Sequence, residues 1–128
     1  MHWRNYVAQV DEMDCGVAAL AMILKNYGST TSLAYLRNIA KTSLEGTTAL
    51  GLVKTAEKLG FETKAIQADM SLFEVQDLPL PFIVHVTKNG DLQHFYVVVK
   101  TSKTHVVIAD TDPTVAVISM SKERFESE

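Results

Sequence analysis

The chain has 128 residues, 47% of them apolar and 21% charged, with a net charge of −3. That length suits one domain, which buries roughly two thirds of the surface its unfolded form exposes. The composition is that of a soluble globular protein, and the acidic balance argues against a nucleic-acid surface, which needs a basic stripe.

A single cysteine rules out an internal disulfide and most zinc sites, and fits a reducing compartment. The N-terminus has no apolar core of the kind a signal peptide needs. The longest apolar stretch, Val17 to Leu24, falls far short of the roughly 20 residues that span a bilayer. By itself the polypeptide reads as soluble. Its end at Glu-Ser-Glu, without a Gly, Pro or Ser linker, is consistent with a domain cut from something longer.

The first half reads helical. From Asp14 to Tyr27, Val17, Ala18, Leu20, Ala21, Ile23 and Leu24 predict a helix, with Asp11 and Asp14 where N-cap and first-turn residues belong. Gly28 stands at its C-cap. A second helix is predicted over Ser32 to Ala40, with Leu33, Leu36 and Ile39 on one face. A third runs from Thr48 to Leu59, where Ala49, Leu52, Val53, Ala56 and Leu59 repeat at helical spacing and Gly60 closes it.

After Gly60 the period changes to two. Phe61 to Ile66 alternates like a half-buried strand, and Leu78-Pro79-Leu80-Pro81 breaks the chain before a β-rich run, Phe82 to Val86. Asn89-Gly90 marks a hairpin into Leu92 to Lys100, followed by His105 to Ala109 and Val115 to Ser119. Helices first and an antiparallel sheet second give an α+β fold.

Cys15 opens the first helix. A helix N-terminus stabilises a thiolate by only about 0.3–1 kcal/mol, less than one pKa unit, so a thiol starting near pKa ~8.5 stays mostly protonated. Asp11, Glu12 and Asp14 push the wrong way. A nucleophilic Cys15 therefore needs an imidazole beside it; otherwise it is a small buried hydrophobe, as most lone cysteines are. Of the four histidines, His2 lies in a terminus, His105 opens a strand by a Lys-bearing turn, and His85 and His94 both lie on strands, where an ordinary strand residue is the commoner reading of either. His94 alternates with Tyr96 and Val98 on one face of a strand expected to be buried on the other.

Hairpin arithmetic offers His94 a carboxylate. If Lys100 pairs with Thr104 around a three-residue turn, Asp110 stands directly opposite His94; a register two residues longer puts Asp112 there instead. Spacing supports a His–Asp pair without selecting the aspartate. Gln9, six residues before Cys15, is either an exposed loop residue or a side-chain amide able to join the Cys15 N–H as donor to an oxyanion.

Gln9-Val10-Asp11-Glu12-Met13-Asp14-Cys15-Gly16-Val17-Ala18-Ala19-Leu20 resembles the cysteine motif of family C39 peptidases, the bacteriocin-processing endopeptidases. Ser43 to Thr48 fits the segment between that family's early helices, His94-Phe95-Tyr96-Val97-Val98 its histidine motif and Ile108-Ala109-Asp110 its aspartate motif. The resemblance covers nearly the whole chain, 1–128. It implies a papain-like fold and a domain at the N-terminus of a longer ABC transporter, on the cytoplasmic face of the bacterial membrane. It implies cleavage of a leader peptide after a double glycine, coupled to export by the attached transmembrane and ATP-binding domains. Carried over by position, Cys15 is the nucleophile, His94 the general base, Asp110 its orienting partner and Gln9 the oxyanion donor. Aligning on Asp112-Pro113 favours Asp112; spacing from His94 favours Asp110. No Gly-Lys-Ser/Thr phosphate loop, His-Glu-x-x-His or paired Cys ligand set is present, so neither a nucleotide, a metal nor another cofactor is expected. The alternative is a noncatalytic module that docks leader peptides for export.

Overall fold

A computed structural model describes residues 3–10, 14–29, 31–40, 49–61, 80–88 and 92–127. Helix α1 (Cys15–Asn26) is followed by α2 (Leu33–Ala40) and α3 (Ala49–Lys58), then strands β1 (Phe82–Lys88), β2 (Leu92–Thr101), β3 (His105–Asp110) and β4 (Val117–Ser121), and a short α4 (Lys122–Ser127). The predicted strand over Phe61 to Ile66 falls outside the described residues after Phe61. So do Leu78-Pro79, Asn89-Gly90, Ser43 to Thr48, His2, Asp11 and Glu12.

α1 is the central helix. Gly16 through Met22 and Leu24 are all buried, and the small side chains Gly16, Ala18, Ala19 and Ala21 let neighbours approach closely. It packs against α2, α3 and β2, joining Leu36, Leu52, Ala56, Phe95, Val97, Ala109 and Val117 in one core. Each large aliphatic buried there contributes about 1.5–3 kcal/mol. Gly28 and Gly60 hold φ of +85° and +94° just past α1 and α3, the left-handed cap that only glycine takes without strain.

The four strands form one antiparallel sheet in the order β1-β2-β3-β4. It is buried on both faces, contrary to the half-buried strand expected around His94. Phe95 and Val97 face the helices, whereas Tyr96, Val98, Val106, Ile108 and Met120 form a second cluster that Phe125 of α4 covers. No periodicity announces α4, which carries Phe125 as its one large apolar residue. Its anchors are a cap, with Arg124 N–H donating to Ser121 Oγ at 3.2 Å, and the edge-on contact of Phe125 with Tyr96.

The β2–β3 register differs from the hairpin arithmetic. The turn centres on Lys103-Thr104, with Ser102 N–H donating to His105 O, so Thr101 faces Val106 rather than Lys100 facing Thr104. A bulge between Val98 and Lys100 then takes back one residue, and Tyr96, not His94, faces Asp110. β4 starts at Val117 rather than Val115. Residues 112–116 form a turn in which Val115 and Ala116 N–H donate to Asp112 O and Ala116 holds φ of 53°.

Candidate active site

Cys15 is the first residue of α1 and the only cysteine, partly exposed. Asp14, at the N-cap, does not cap the helix with its side chain. Its carboxylate, wholly buried, turns to α2 and takes a two-pronged ion pair from Arg37: Nε to Oδ1 at 2.8 Å and Nη2 to Oδ2 at 2.9 Å. Asp14 therefore does not act on the thiol as a bare charge, as its place in the sequence suggests.

His94 enters β2 two residues before Tyr96, and Asp110 ends β3 opposite Tyr96. The two are diagonal neighbours on one face, about 7–8 Å apart at the backbone, a span an imidazole bridges. His94 Nε2 lies 2.8 Å from Asp110 Oδ1. An ionised carboxylate only accepts, so Nε2 carries the proton and Nδ1 is the nitrogen left for Cys15.

Asp110 is 2% exposed. Its Oδ1 also accepts Asp112 N–H at 2.9 Å, and its backbone carbonyl accepts the Tyr6 hydroxyl at 2.7 Å. Burial, and then the charges of Asp110 and Asp112, push the Tyr6 pKa up and keep that hydroxyl a donor. Asp112 has left the sheet: its Oδ1 accepts Thr114 N–H and the Thr114 hydroxyl at 2.9 and 2.8 Å. The register is the one that puts Asp112 across from His94 on paper, yet the strand ends first and the carboxylate that reaches the ring is Asp110.

Burial pushes the Cys15 thiol up. Hydrogen bonding to the His94 ring, the Phe95 N–H, the His94 charge and the Gly16 N–H outweigh it, and the thiol falls below its ordinary value. For His94 burial favours the neutral ring, but the hydrogen bonds to Asp110 and Cys15 and their charges raise it to about 9. The two shifts run in opposite directions and together favour a thiolate against an imidazolium, an activated nucleophile with a proton donor beside it.

Gln9 is tied to the same corner. Its N–H donates to Thr111 O at 2.8 Å and its Oε1 accepts the Thr111 hydroxyl at 2.6 Å. The other two described histidines stand apart: His85 is exposed and stacked on Phe95 at 4.3 Å, and exposed His105 meets the Thr104 hydroxyl. Sequence reasoning did not single out Arg37, Tyr6 or Thr111. Thr111 alone carried a signal, its place directly after a candidate aspartate.

Sulfur at the start of a buried helix, facing an imidazole that a sheet carries and a carboxylate steadies, is how papain-like cysteine peptidases are laid out, and this fold is of that class. The chain belongs to the Peptidase C39 family, whose model matches residues 3–128. It is 57% identical over 125 residues to the transport/processing ATP-binding protein ComA of Streptococcus pneumoniae, a match that covers 98% of this chain and 17% of that protein's length. The crystal structure of the peptidase domain of Streptococcus ComA, a bifunctional ABC transporter involved in a quorum-sensing pathway, superposes with a TM-score of 0.91 at 56% identity, over 95% of this chain and 89% of that one. A double-glycine motif protease from an AMS/PCAT transporter, solved in complex with the leader peptide, gives 0.78 at 25% identity, over 94% and 81%. The chain is a cysteine peptidase. No helix among the described residues is long and apolar enough to cross a membrane.

Proposed function

We propose that this chain is the processing domain of a peptide exporter and that it cuts the leader of a secreted peptide precursor after a Gly-Gly motif. The observation that carries the reading is the buried Asp110–His94 pair hydrogen-bonded onward to Cys15. The Cys15 thiolate attacks the carbonyl of the second glycine and a C–S bond forms. The carbonyl oxygen takes the negative charge, against the Gln9 side-chain amide and the Cys15 N–H. The C–N bond breaks as His94 gives its proton to the leaving amine. Water then adds to the thioester, returns a proton to His94 and frees the leader as a carboxylate. Two glycines suit subsites too narrow for a Cβ and let the substrate lie extended through a constriction. In this reading the chain stands at the cytoplasmic face of the membrane, attached to transmembrane and ATP-binding domains, with the leader as its partner.

The test is incubation of the chain with a Gly-Gly leader precursor under reducing conditions. Wild type is expected to release the leader at the second glycine and Cys15→Ala to leave the precursor intact. An intact precursor with both proteins identifies a docking module instead.

A further inference from the structure

Thr111 is the first residue after β3 and is 0% exposed, a polar side chain in the interior where an unmet hydroxyl is costly. It meets one residue, Gln9, twice. The Thr111 hydroxyl donates to Gln9 Oε1 at 2.6 Å, and the Thr111 carbonyl accepts Gln9 N–H at 2.8 Å. These two bonds close a ring between positions 102 residues apart.

The ring answers a problem peculiar to glutamine. Its terminal torsion is broad and nearly two-fold, and a half-turn exchanges an acceptor for a pair of donors. An oxyanion is helped only by the donor end, and only if that end is in place before charge develops. The hydroxyl that holds Oε1 leaves Nε2 as the end free to donate. The backbone bond fixes the Cα from which the side chain reaches. Directly before Thr111, Asp110 holds the His94 ring. Two consecutive residues at the end of one strand thus orient the base and the oxyanion donor separately.

We propose that Thr111 is a positioning residue for catalysis, whose hydroxyl fixes which end of the Gln9 amide meets the oxyanion. The inference rests on Gln9 as oxyanion donor, the role assigned under the proposed function.

Thr111→Val keeps the shape and the backbone carbonyl and removes only the donor. With a Gly-Gly precursor, it is expected to lower kcat about three- to tenfold, the range one neutral hydrogen bond contributes, and to leave KM within about twofold. Thr111→Ser is expected to restore kcat. The pH midpoint of Cys15 alkylation is expected to stay where it is in wild type, because the thiol and imidazole are not touched. In a Gln9→Ala background the valine is expected to cost nothing further. If Thr111→Val fails to fold, Thr111→Ala read against Thr111→Ser replaces it. Wild-type kcat in the variant, a loss repeated in the Gln9→Ala background, a loss shared by the serine or a shifted alkylation midpoint each overturns the proposal. Gln9→Ala cleaving at the wild-type rate brings down the oxyanion reading itself. Slow Gln9→Ala beside fast Thr111→Val removes only the role of Thr111.

Discussion

A half-buried thiol resists ionisation, and Cys15 ionises below its ordinary range only because the hydrogen bonds and charge around it outweigh burial, with His94 the largest contributor. His94, raised to about 9, keeps its proton for the same reason seen from the other side. The ion pair therefore exists in a window bounded below by the lowered thiol and above by about 9, and the two limits belong to the pair rather than to either residue. Alkylation of Cys15 by iodoacetamide is expected to rise with pH at a midpoint below the ~8.5 of a free thiol. Cleavage should rise over the same range and decline as pH passes about 9, where the ring no longer holds a proton for the leaving amine. In His94→Ala burial is left with less to oppose it, and the midpoint should move up from its wild-type value. A wild-type midpoint at or above about 8.5 contradicts the ion pair.

The nucleophile's element is held by a charge whose partner its own sequence does not reveal. Asp14 is buried at the start of α1, and Arg37, with 41% of its side chain exposed, reaches across from α2 to grip both carboxylate oxygens. Breaking a buried ion pair by removing one partner costs about 3–5 kcal/mol, and the solvated face of this guanidinium places Arg37→Gln nearer about 2 kcal/mol. Urea unfolding of Arg37→Gln should show that loss, and Asp14→Asn combined with Arg37→Gln should recover most of it. A double variant as weak as the single one shows that the pair does not act through charge. None of this was legible beforehand, because a lone arginine on an amphipathic helix says nothing about what faces it. The helices and strands were legible where period and punctuation agreed, as at α1 with Gly28 and α3 with Gly60. Register was not. The turn at Lys103-Thr104 and the bulge before Lys100 each shift the pairing, and neither leaves a mark in the alternation of valines. Asp110 reached His94 by a diagonal that direct-pair arithmetic does not count.

At the scale of the molecule the site is a junction between halves. Cys15 comes from the helical layer, His94 and Asp110 from the sheet, and Gln9 from the segment before α1 that Tyr6 and Gln9 tie to the end of β3. The unfolded chain separates these groups, so the proton on His94 is held more tightly in the folded state than in the unfolded one, where a histidine releases it near pH ~6.5. A raised folded value gives stability that is complete below about 6.5 and is lost as pH climbs through about 9. The thiol has the opposite sign: a lowered folded value stabilises above the free-thiol range, and that contribution disappears as pH falls through the folded value. Cys15→Ala removes the second effect and leaves the carboxylate to hold the ring. In that background the ring also loses the support of the sulfur, so urea unfolding should show stability declining from about pH 6.5, with the decline complete below about 9. Adding Asp110→Ala should flatten the decline, since the ring then loses its main support. Adding Asp112→Ala should leave the slope, because that side chain serves the Thr114 turn and its backbone N–H to Asp110 survives. A slope that follows Asp112 rather than Asp110 assigns the ring's partner to the wrong carboxylate here, and a slope indifferent to both places the proton elsewhere.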